Sequence, residues 1–267
     1  MMEENEMQLK IGVMDSGVGG LTVVNELQKI IPDATILYYG DSGNCPYGNR
    51  SQKDIIELSK KIIDFLLSQE VDFICIACNT ISTVIEKLQK DCPIKLIGII
   101  QPVSNYIATV LNPKEIGLVA TVDTVQSQEY SIKIHEKNKH ITVIGQGSPT
   151  LAALIESGEF TTKKIDAEIQ KEMQLILQKN AIYFVILGCT HYPIVEDHFK
   201  KLYPKITFIN PAHYQALVAN KVALDKPIKQ NTGTDSSIYT SGDTSIFSSI
   251  VEKIGIKTQQ PVKKLVL

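Results

Sequence analysis

The segment FICIACNT at residues 73–80 has a counterpart in FVILGCTH at residues 184–191. Each is an apolar run of strand length that ends in a cysteine followed by small polar residues. IGVMDS at residues 11–16 is matched in the same way by IGLVAT at residues 116–121. The two pairs occur in the same order, at offsets of 105 and 111 residues. This faint internal repeat predicts two related lobes.

Short apolar runs alternate with amphipathic segments along the chain. The apolar runs lack polar alternation, which predicts strands buried on both faces of parallel sheets. The amphipathic segments carry apolar residues three and four apart, a helical pattern, and Ser51 to Asp54 forms a capping box before one of them. The nine predicted strands are LKIGVM, TILYYG, VDFICIA, IKLIGII, EIGLVA, ITVIG, AIYFVILG, ITFIN and SIYTSG.

Together these patterns predict an α/β fold of two pseudo-symmetric lobes. Each lobe is expected to be a mainly parallel sheet flanked by helices, with the active site in the cleft between the lobes. We assign residues 1–100 and 208–267 to the first lobe and residues 101–207 to the second.

Composition narrows the possible functions. The 267 residues are 43% hydrophobic with a net charge of -2, enough for a large core. No apolar run approaches a membrane span, and the acidic N-terminal segment does not resemble a signal peptide. Arg50 is the only arginine, which argues against a nucleic-acid partner, and five cysteines are too few for a disulfide scaffold. We therefore expect a cytoplasmic protein that acts on a small molecule.

The chemically notable residues fall where predicted strands end, the edge at which parallel sheets bind ligands. They are Asp15 and Ser16, the loop from Asp41 to Gly48, Cys78 with Asn79 and Thr80, Thr121, and Cys189 with Thr190 and His191. The first of these loops, DSGVGG, does not have the glycine spacing of a dinucleotide-binding fingerprint.

Cys78 and Cys189 occupy equivalent places in the repeat, each before a helix N-terminus that favours thiolate. Either could instead be a buried structural cysteine. If the lobes face each other, the two thiols approach one cleft from opposite sides, as a reaction needing an acid and a base on opposite faces of one carbon requires.

Neighbouring polar groups allow more than one interpretation. His191 could activate Cys189, act as an acid, or only bond the backbone. Asp15 could assist proton movement, hold an ammonium group, or only cap its helix. The backbone N–H groups around Tyr47 and Gly48 could bind a carboxylate.

A zinc site is the competing interpretation of the thiols. Cys75 and Cys78, with Cys189 and His191, have suitable ligand types. Residues three apart in a strand point to opposite faces, however, so Cys75 is expected to face the sheet packing. We therefore predict no metal. We also predict no pyridoxal phosphate, because no lysine lies at a strand end where it could form a Schiff base. Cys45 and Cys92, each before a proline, are interpreted as structural.

The motifs DSGVGGLTV, YYGD with PYG, ACNT, GCTHYP and TSGD resemble those of glutamate racemases, in order and spacing, over nearly the whole chain. The resemblance implies a cofactor-independent homodimer that interconverts L- and D-glutamate for peptidoglycan. It makes Cys78 and Cys189 the catalytic thiols, with Asp15 and His191 assisting. It further implies that the α-groups of the substrate are held by Ser16, Asn79, Thr80 and Thr190. The site is expected to be lined by Tyr47, Gly48, Thr121 and Thr124. The resemblance also places Glu156 near the second thiol.

Three positions depart from the family pattern. The loop between YYGD and PYG lacks its usual arginine, Ser148 replaces a common cysteine, and Asn210 replaces a common aspartate. Because the first departure borders the substrate's side chain, racemisation of aspartate stays an alternative. A weakly catalytic protein that mainly binds a protein partner is another, although both thiol motifs are intact.

Overall fold

The computed structural model describes residues 9–178, 182–226 and 236–267. Within these residues the chain forms two parallel sheets flanked by helices, so the predicted α/β class is confirmed. The first sheet has the order β10-β9-β2-β1-β3-β4, and the second has the order β6-β5-β7-β8.

The strands of the first sheet are β1 (Lys10–Asp15), β2 (Thr35–Gly40), β3 (Phe73–Ile76), β4 (Leu96–Gly98), β9 (Ser237–Thr240) and β10 (Lys263–Lys264). Those of the second are β5 (Glu115–Thr121), β6 (Thr142–Ser148), β7 (Phe184–Gly188) and β8 (Thr207–Ile209).

The α-helices are α1 (Leu21–Ile30), α2 (Gln52–Ser68), α3 (Asn79–Ser82), α4 (Ile85–Asp91), α5 (Ile100–Tyr106), α6 (Val122–Gln126), α7 (Glu129–His135), α8 (Leu151–Glu156), α9 (Lys163–Leu177), α10 (Glu196–Leu202), α11 (Pro211–Leu224) and α12 (Thr244–Ile254). Short 3-10 helices span Ser42–Asn44, Tyr47–Asn49 and Tyr192–Val195, and a π-helical turn spans Ile107–Leu111. One half of the predicted capping box is present: the Ser51 side chain accepts a hydrogen bond from the Asp54 backbone N–H, while the Asp54 carboxylate accepts from the Ser51 hydroxyl.

The internal repeat is visible in strand order and register. The order β6-β5-β7-β8 reproduces β2-β1-β3-β4. Gly12 pairs with Ile74 in the first sheet, and Gly117 pairs with Val185 in the second, which are the repeat-equivalent residues. The sequence repeat therefore corresponds to two equivalent four-strand units, which places the ends of β3 and β7 in equivalent positions.

All nine predicted runs contain a strand, and β10 was not predicted. Its two lysines carry no apolar pattern, and it pairs only with β9 at the edge of the sheet. The edge strand β6 is half-exposed rather than buried. The run IKLIGII ends earlier than predicted, since α5 begins at Ile100.

The last part of the chain contacts both sheets. β8 pairs with β7 and extends to Ile209, past the predicted end of the second lobe at residue 207, whereas β9 and β10 join the first sheet. The proposed division by residue number stays a prediction. α11 packs against α1 and α5, and its buried Gln215 donates to the carbonyls of Ile76 and Ile97. The bond to Ile76 holds the end of β3, just before Cys78. No helix in the described parts of the chain is long and apolar enough to cross a membrane.

Candidate active site

Asp15 is the last residue of β1 and is completely buried. It accepts hydrogen bonds from the Gly17 backbone N–H at 2.9 Å and from Thr190 Oγ1 at 3.0 Å. Burial raises its pKa to about 6, against the opposing charge of His191. The N-cap of α1 is Gly20, with no side-chain cap bond, so Asp15 does not cap that helix. A carboxylate with a pKa near neutrality, at the end of a central strand, is suited to proton movement.

Cys78 leaves β3 and forms the N-cap of α3, with its Sγ 3.4 Å from Ser16 Oγ. Burial raises the pKa of this thiol to about 12, and the Asp15 carboxylate adds to the effect. The expectation that the helix N-terminus favours thiolate is wrong for this state, because a four-residue helix offers little dipole against nearly complete desolvation. Cys78 is therefore a thiol here.

Cys189 follows β7, and its Sγ lies 3.6 Å from His191 Nδ1. The other ring nitrogen, Nε2, lies 2.5 Å from Glu156 Oε2. Burial opposes a charged imidazole, but the Cys189 sulfur and the Glu156 carboxylate outweigh it and raise the pKa of His191 well above its usual range. Cys189 thus has an imidazolium beside it, and Glu156 is linked to this cysteine through the His191 ring.

The two halves are joined by hydrogen bonds. Besides the Thr190 bond to Asp15, the Val18 backbone N–H donates to Glu156 Oε2 at 3.0 Å and Thr22 Oγ1 donates to the Thr190 carbonyl at 3.3 Å. Gly19 lies so close to Thr190 that any Cβ would collide with its hydroxyl. The glycines of DSGVGG therefore allow the loop after β1 to approach the loop after β7.

The loop from Asp41 to Gly48 forms one wall. Tyr47 is buried and donates to Asp41 Oδ2 at 2.6 Å, so its hydroxyl is engaged within the loop. Asn44, in the loop that lacks the family's arginine, also donates to Asp41, at 3.1 Å. Gly48 lies next to Thr121, whose hydroxyl is 2.9 Å from that of Thr124 and caps α6. The loop thus contacts the end of β5 in the other sheet.

Asn79 and Thr80 open α3 directly after Cys78, and both are buried. Tyr130 in α7 donates to Asn79 Oδ1 at 2.7 Å. The amide nitrogen, Nδ2, is buried with no hydrogen-bond partner. A buried donor without a partner is costly in a folded protein and is therefore a candidate for binding substrate.

One group of side chains among the described residues could hold a metal ion: Cys45, Glu156 and His191, whose ligand atoms lie within 4.8 Å of one another. It is not the set that the sequence suggested, since Cys75 is buried within β3. Glu156 and His191 already bond each other.

The sequence did not indicate the roles of several residues of this site, although two of them lie in the loop from Asp41 to Gly48. Cys45 was interpreted as structural, yet it lies beside Glu156 and His191. Tyr38 donates to the Gly17 carbonyl, and Ser42 donates to Glu156 Oε1. Tyr130 lies 51 positions after its partner Asn79, which no local pattern indicates.

The sequence profile of the Asp/Glu/Hydantoin racemase family matches residues 11–219. This chain belongs to that family. It is 33% identical to a glutamate racemase of Desulforudis audaxviator, over 96% of this chain and 97% of that protein.

Solved structures of the racemase family have the same fold. A glutamate racemase from Bacillus anthracis superimposes with a TM-score of 0.88 at 32% identity, covering 98% of this chain and 99% of the other. A Francisella tularensis glutamate racemase in complex with D-glutamate gives a TM-score of 0.85 at 29% identity, covering 97% of each chain. The two-lobed fold predicted from the sequence is confirmed by these neighbours.

Proposed function

We propose that this racemase family member interconverts L- and D-glutamate by proton transfer between two thiols, without a cofactor. The observation that carries the proposal is the equivalent position of Cys78 after β3 and Cys189 after β7, at matching ends of two related sheets. The charge of Cys189 is one of the smaller causes that raise the pKa of Cys78, after burial and Asp15. The family relatives and the D-glutamate complex of a relative support glutamate as the substrate.

In this mechanism one thiol, as thiolate, removes the α-proton and the other thiol delivers a proton to the opposite face. Asp15 assists on the Cys78 side, and the His191–Glu156 pair assists on the Cys189 side. The intermediate places negative charge on the α-carboxylate, so hydrogen-bond donors in a dry site stabilise it. The unpartnered Asn79 amide and the backbone N–H groups at strand ends are suitable donors. Ser16, Thr80 and Thr190 complete the proposed contacts with the α-groups.

The remaining site residues are assigned to the substrate's side chain. Tyr47, Gly48, Thr121 and Thr124 form the wall where the two sheets' loops meet. The loop carries no arginine at this wall, and its Asn44 is uncharged and bonds Asp41, so we assign the distal carboxylate to hydrogen bonds from the wall residues. We further propose that the protein is a cytoplasmic homodimer that supplies D-glutamate for peptidoglycan.

The test is chiral chromatography of the purified protein incubated separately with L-glutamate and L-aspartate, after dialysis against a strong chelator. We expect D-glutamate to accumulate toward an equal mixture at an undiminished rate. Formation of D-aspartate alone would replace the substrate, and activity restored only by zinc or pyridoxal phosphate would overturn the mechanism. Failure to racemise either acid would favour a binding role.

A matched pair of thiol variants completes this test. Cys92 is a partly buried thiol at the end of α4. Cys92→Ser should therefore retain wild-type activity, whereas Cys78→Ser should not. Sedimentation velocity of the same samples checks the proposed dimer.

A further inference from the structure

The bond between Tyr130 and Asn79 joins the two related units. Asn79 opens α3, which follows β3 of the first sheet, and Tyr130 lies in α7, between β5 and β6 of the second. Both side chains are buried, Tyr130 with 1% and Asn79 with 4% of its surface exposed. The hydroxyl donates to Oδ1 at 2.7 Å, close to the ordinary optimum.

This bond determines which end of the amide faces away from Tyr130. A side-chain amide can rotate by half a turn, which exchanges its carbonyl oxygen and its NH₂ group. Burial raises the pKa of Tyr130, so its hydroxyl stays protonated and needs an acceptor. The carbonyl oxygen is that acceptor, and the NH₂ group is left without a partner.

The two ends of the amide have opposite effects on an anion. An NH₂ group donates to a carboxylate, whereas a carbonyl oxygen at the same place repels it. Asn79 directly follows Cys78, whose thiol is part of the proposed proton-transfer site.

We propose that Tyr130 is a positioning residue, which holds the Asn79 amide so that its NH₂ group is presented to the substrate's carboxylate. The inference rests on the proposed function. It also means that the donor is correctly oriented only when α7 and α3 are in contact, so that the second unit completes a binding group of the first.

The experiment is a double-mutant cycle on the full-length chain. Tyr130→Phe, Asn79→Ala and the double variant are compared with wild type by racemisation kinetics and by calorimetric titration with L-glutamate. We expect Tyr130→Phe to lower kcat/KM about tenfold, through a higher KM and a lower kcat together, because the freed amide can also turn its oxygen toward the substrate and the charged intermediate. In the Asn79→Ala background the same change should cost less than about twofold.

Tyr39→Phe is the matched control. Tyr39 has 1% of its surface exposed, and its hydroxyl donates to the Leu265 carbonyl at 3.0 Å. The control therefore loses a buried hydroxyl and a backbone bond without touching Asn79, and we expect wild-type kinetics. Asn79→Asp is the second variant. It keeps an acceptor for Tyr130 but replaces the NH₂ group with an oxygen, and should weaken glutamate binding by more than about tenfold.

Unchanged kinetics and binding in Tyr130→Phe would overturn the inference, as would an equal loss in both backgrounds, which indicates a general structural role. Wild-type protein that binds glutamate without racemising it would overturn the proposed function, while the binding cycle still decides the role of Tyr130. Wild-type protein that does neither would overturn both.

Discussion

The two thiols occupy equivalent strand ends but have different surroundings. Cys78 has a neutral hydroxyl, Ser16, at 3.4 Å, and the nearby Asp15 carboxylate helps to raise its pKa to about 12, after burial. Cys189 has His191 at 3.6 Å, and Glu156 holds that ring by a second bond. The repeat therefore accounts for the two cysteine positions, whereas their neighbours differ: Cys78 lies near a carboxylate, and Cys189 lies beside an imidazolium.

Loss of either thiol should have the largest effect. Cys78→Ser and Cys189→Ser keep the shape of the side chain, so the fold should be retained. A proton shuttle with one side missing cannot invert the α-carbon, and we expect racemisation to fall about 10² to 10⁴-fold. Chiral chromatography measures the rate, and circular dichroism checks the fold. A loss of racemisation rate below tenfold in either variant would mean that the remaining thiol is sufficient for racemisation.

Asp15→Asn should separate activity from stability. The carboxyl has a usual pKa of 3.8 and a folded-state pKa of about 6, mainly because it is buried. The native state therefore loses stability as the pH rises through this window, and the deficit, about 3 kcal/mol at neutral pH, persists above it. Asparagine removes the deficit but loses one accepted hydrogen bond, worth about 1 kcal/mol.

We accordingly expect Asp15→Asn to lower kcat/KM about 10²-fold and to raise the free energy of unfolding by about 1–2 kcal/mol at pH 8. At pH 4 the gain should disappear. Denaturant titrations at both pH values measure it. A variant less stable than wild type at pH 8 would show that burial of the ionised Asp15 carboxylate does not destabilise the native state.

Glu156→Gln tests the second half. The Glu156 carboxylate is one of the groups that raise the pKa of His191 against burial. Without it the imidazolium should lose its proton at lower pH, so the basic limb of the pH–rate profile should move to lower pH. We expect kcat/KM to fall about tenfold at pH 8.

Glu172→Gln is the control for that change. Glu172 is a buried carboxylate in α9 that accepts a hydrogen bond from Gln146 and takes no part in the hydrogen bonds described for either thiol. Its variant should keep the wild-type profile. If the basic limb of the pH–rate profile stays at the wild-type pH in Glu156→Gln, His191 is not the group that titrates there.

Ser16→Ala should have the smallest effect. It removes a hydroxyl that lies 3.4 Å from the Cys78 sulfur and is one of several proposed contacts with the substrate's α-groups, and it leaves both thiols and Asp15 in place. We expect kcat/KM to fall no more than about fivefold. A loss as large as that of Asp15→Asn would place Ser16 in proton transfer and would weaken the contrast between the halves.

The sequence predicted the fold and the positions of the thiols because both depend on local patterns. Apolar runs, the repeat and small polar residues after strands are sufficient to bring Asp15, Cys78, Cys189 and His191 to strand ends. Contacts that cross between the sheets, such as Tyr130 with Asn79 or Cys45 with Glu156, leave no local pattern. The prediction that Cys78 favours the thiolate form was wrong for the same reason. Burial raises the pKa of this thiol, and the degree of burial depends on packing across the cleft.

Rates of racemisation alone cannot show which thiol serves which enantiomer. The two enantiomers have equal free energy, so kcat/KM must be the same in both directions for every variant. Exchange of the α-hydrogen with solvent is free of this constraint, because it needs only one thiol and does not invert the carbon.

The central claim is therefore tested most directly by α-deuterium incorporation in deuterated water. Cys78→Ala and Cys189→Ala are each incubated with L- and with D-glutamate, and deuterium is measured by mass spectrometry in the recovered enantiomers. The family resemblance assigns Cys189 to L-glutamate and Cys78 to D-glutamate. We expect Cys78→Ala to exchange only L-glutamate and Cys189→Ala only D-glutamate, neither with racemisation. Exchange of both enantiomers by either variant, or full racemase activity in one of them, would contradict a mechanism of two opposed thiols.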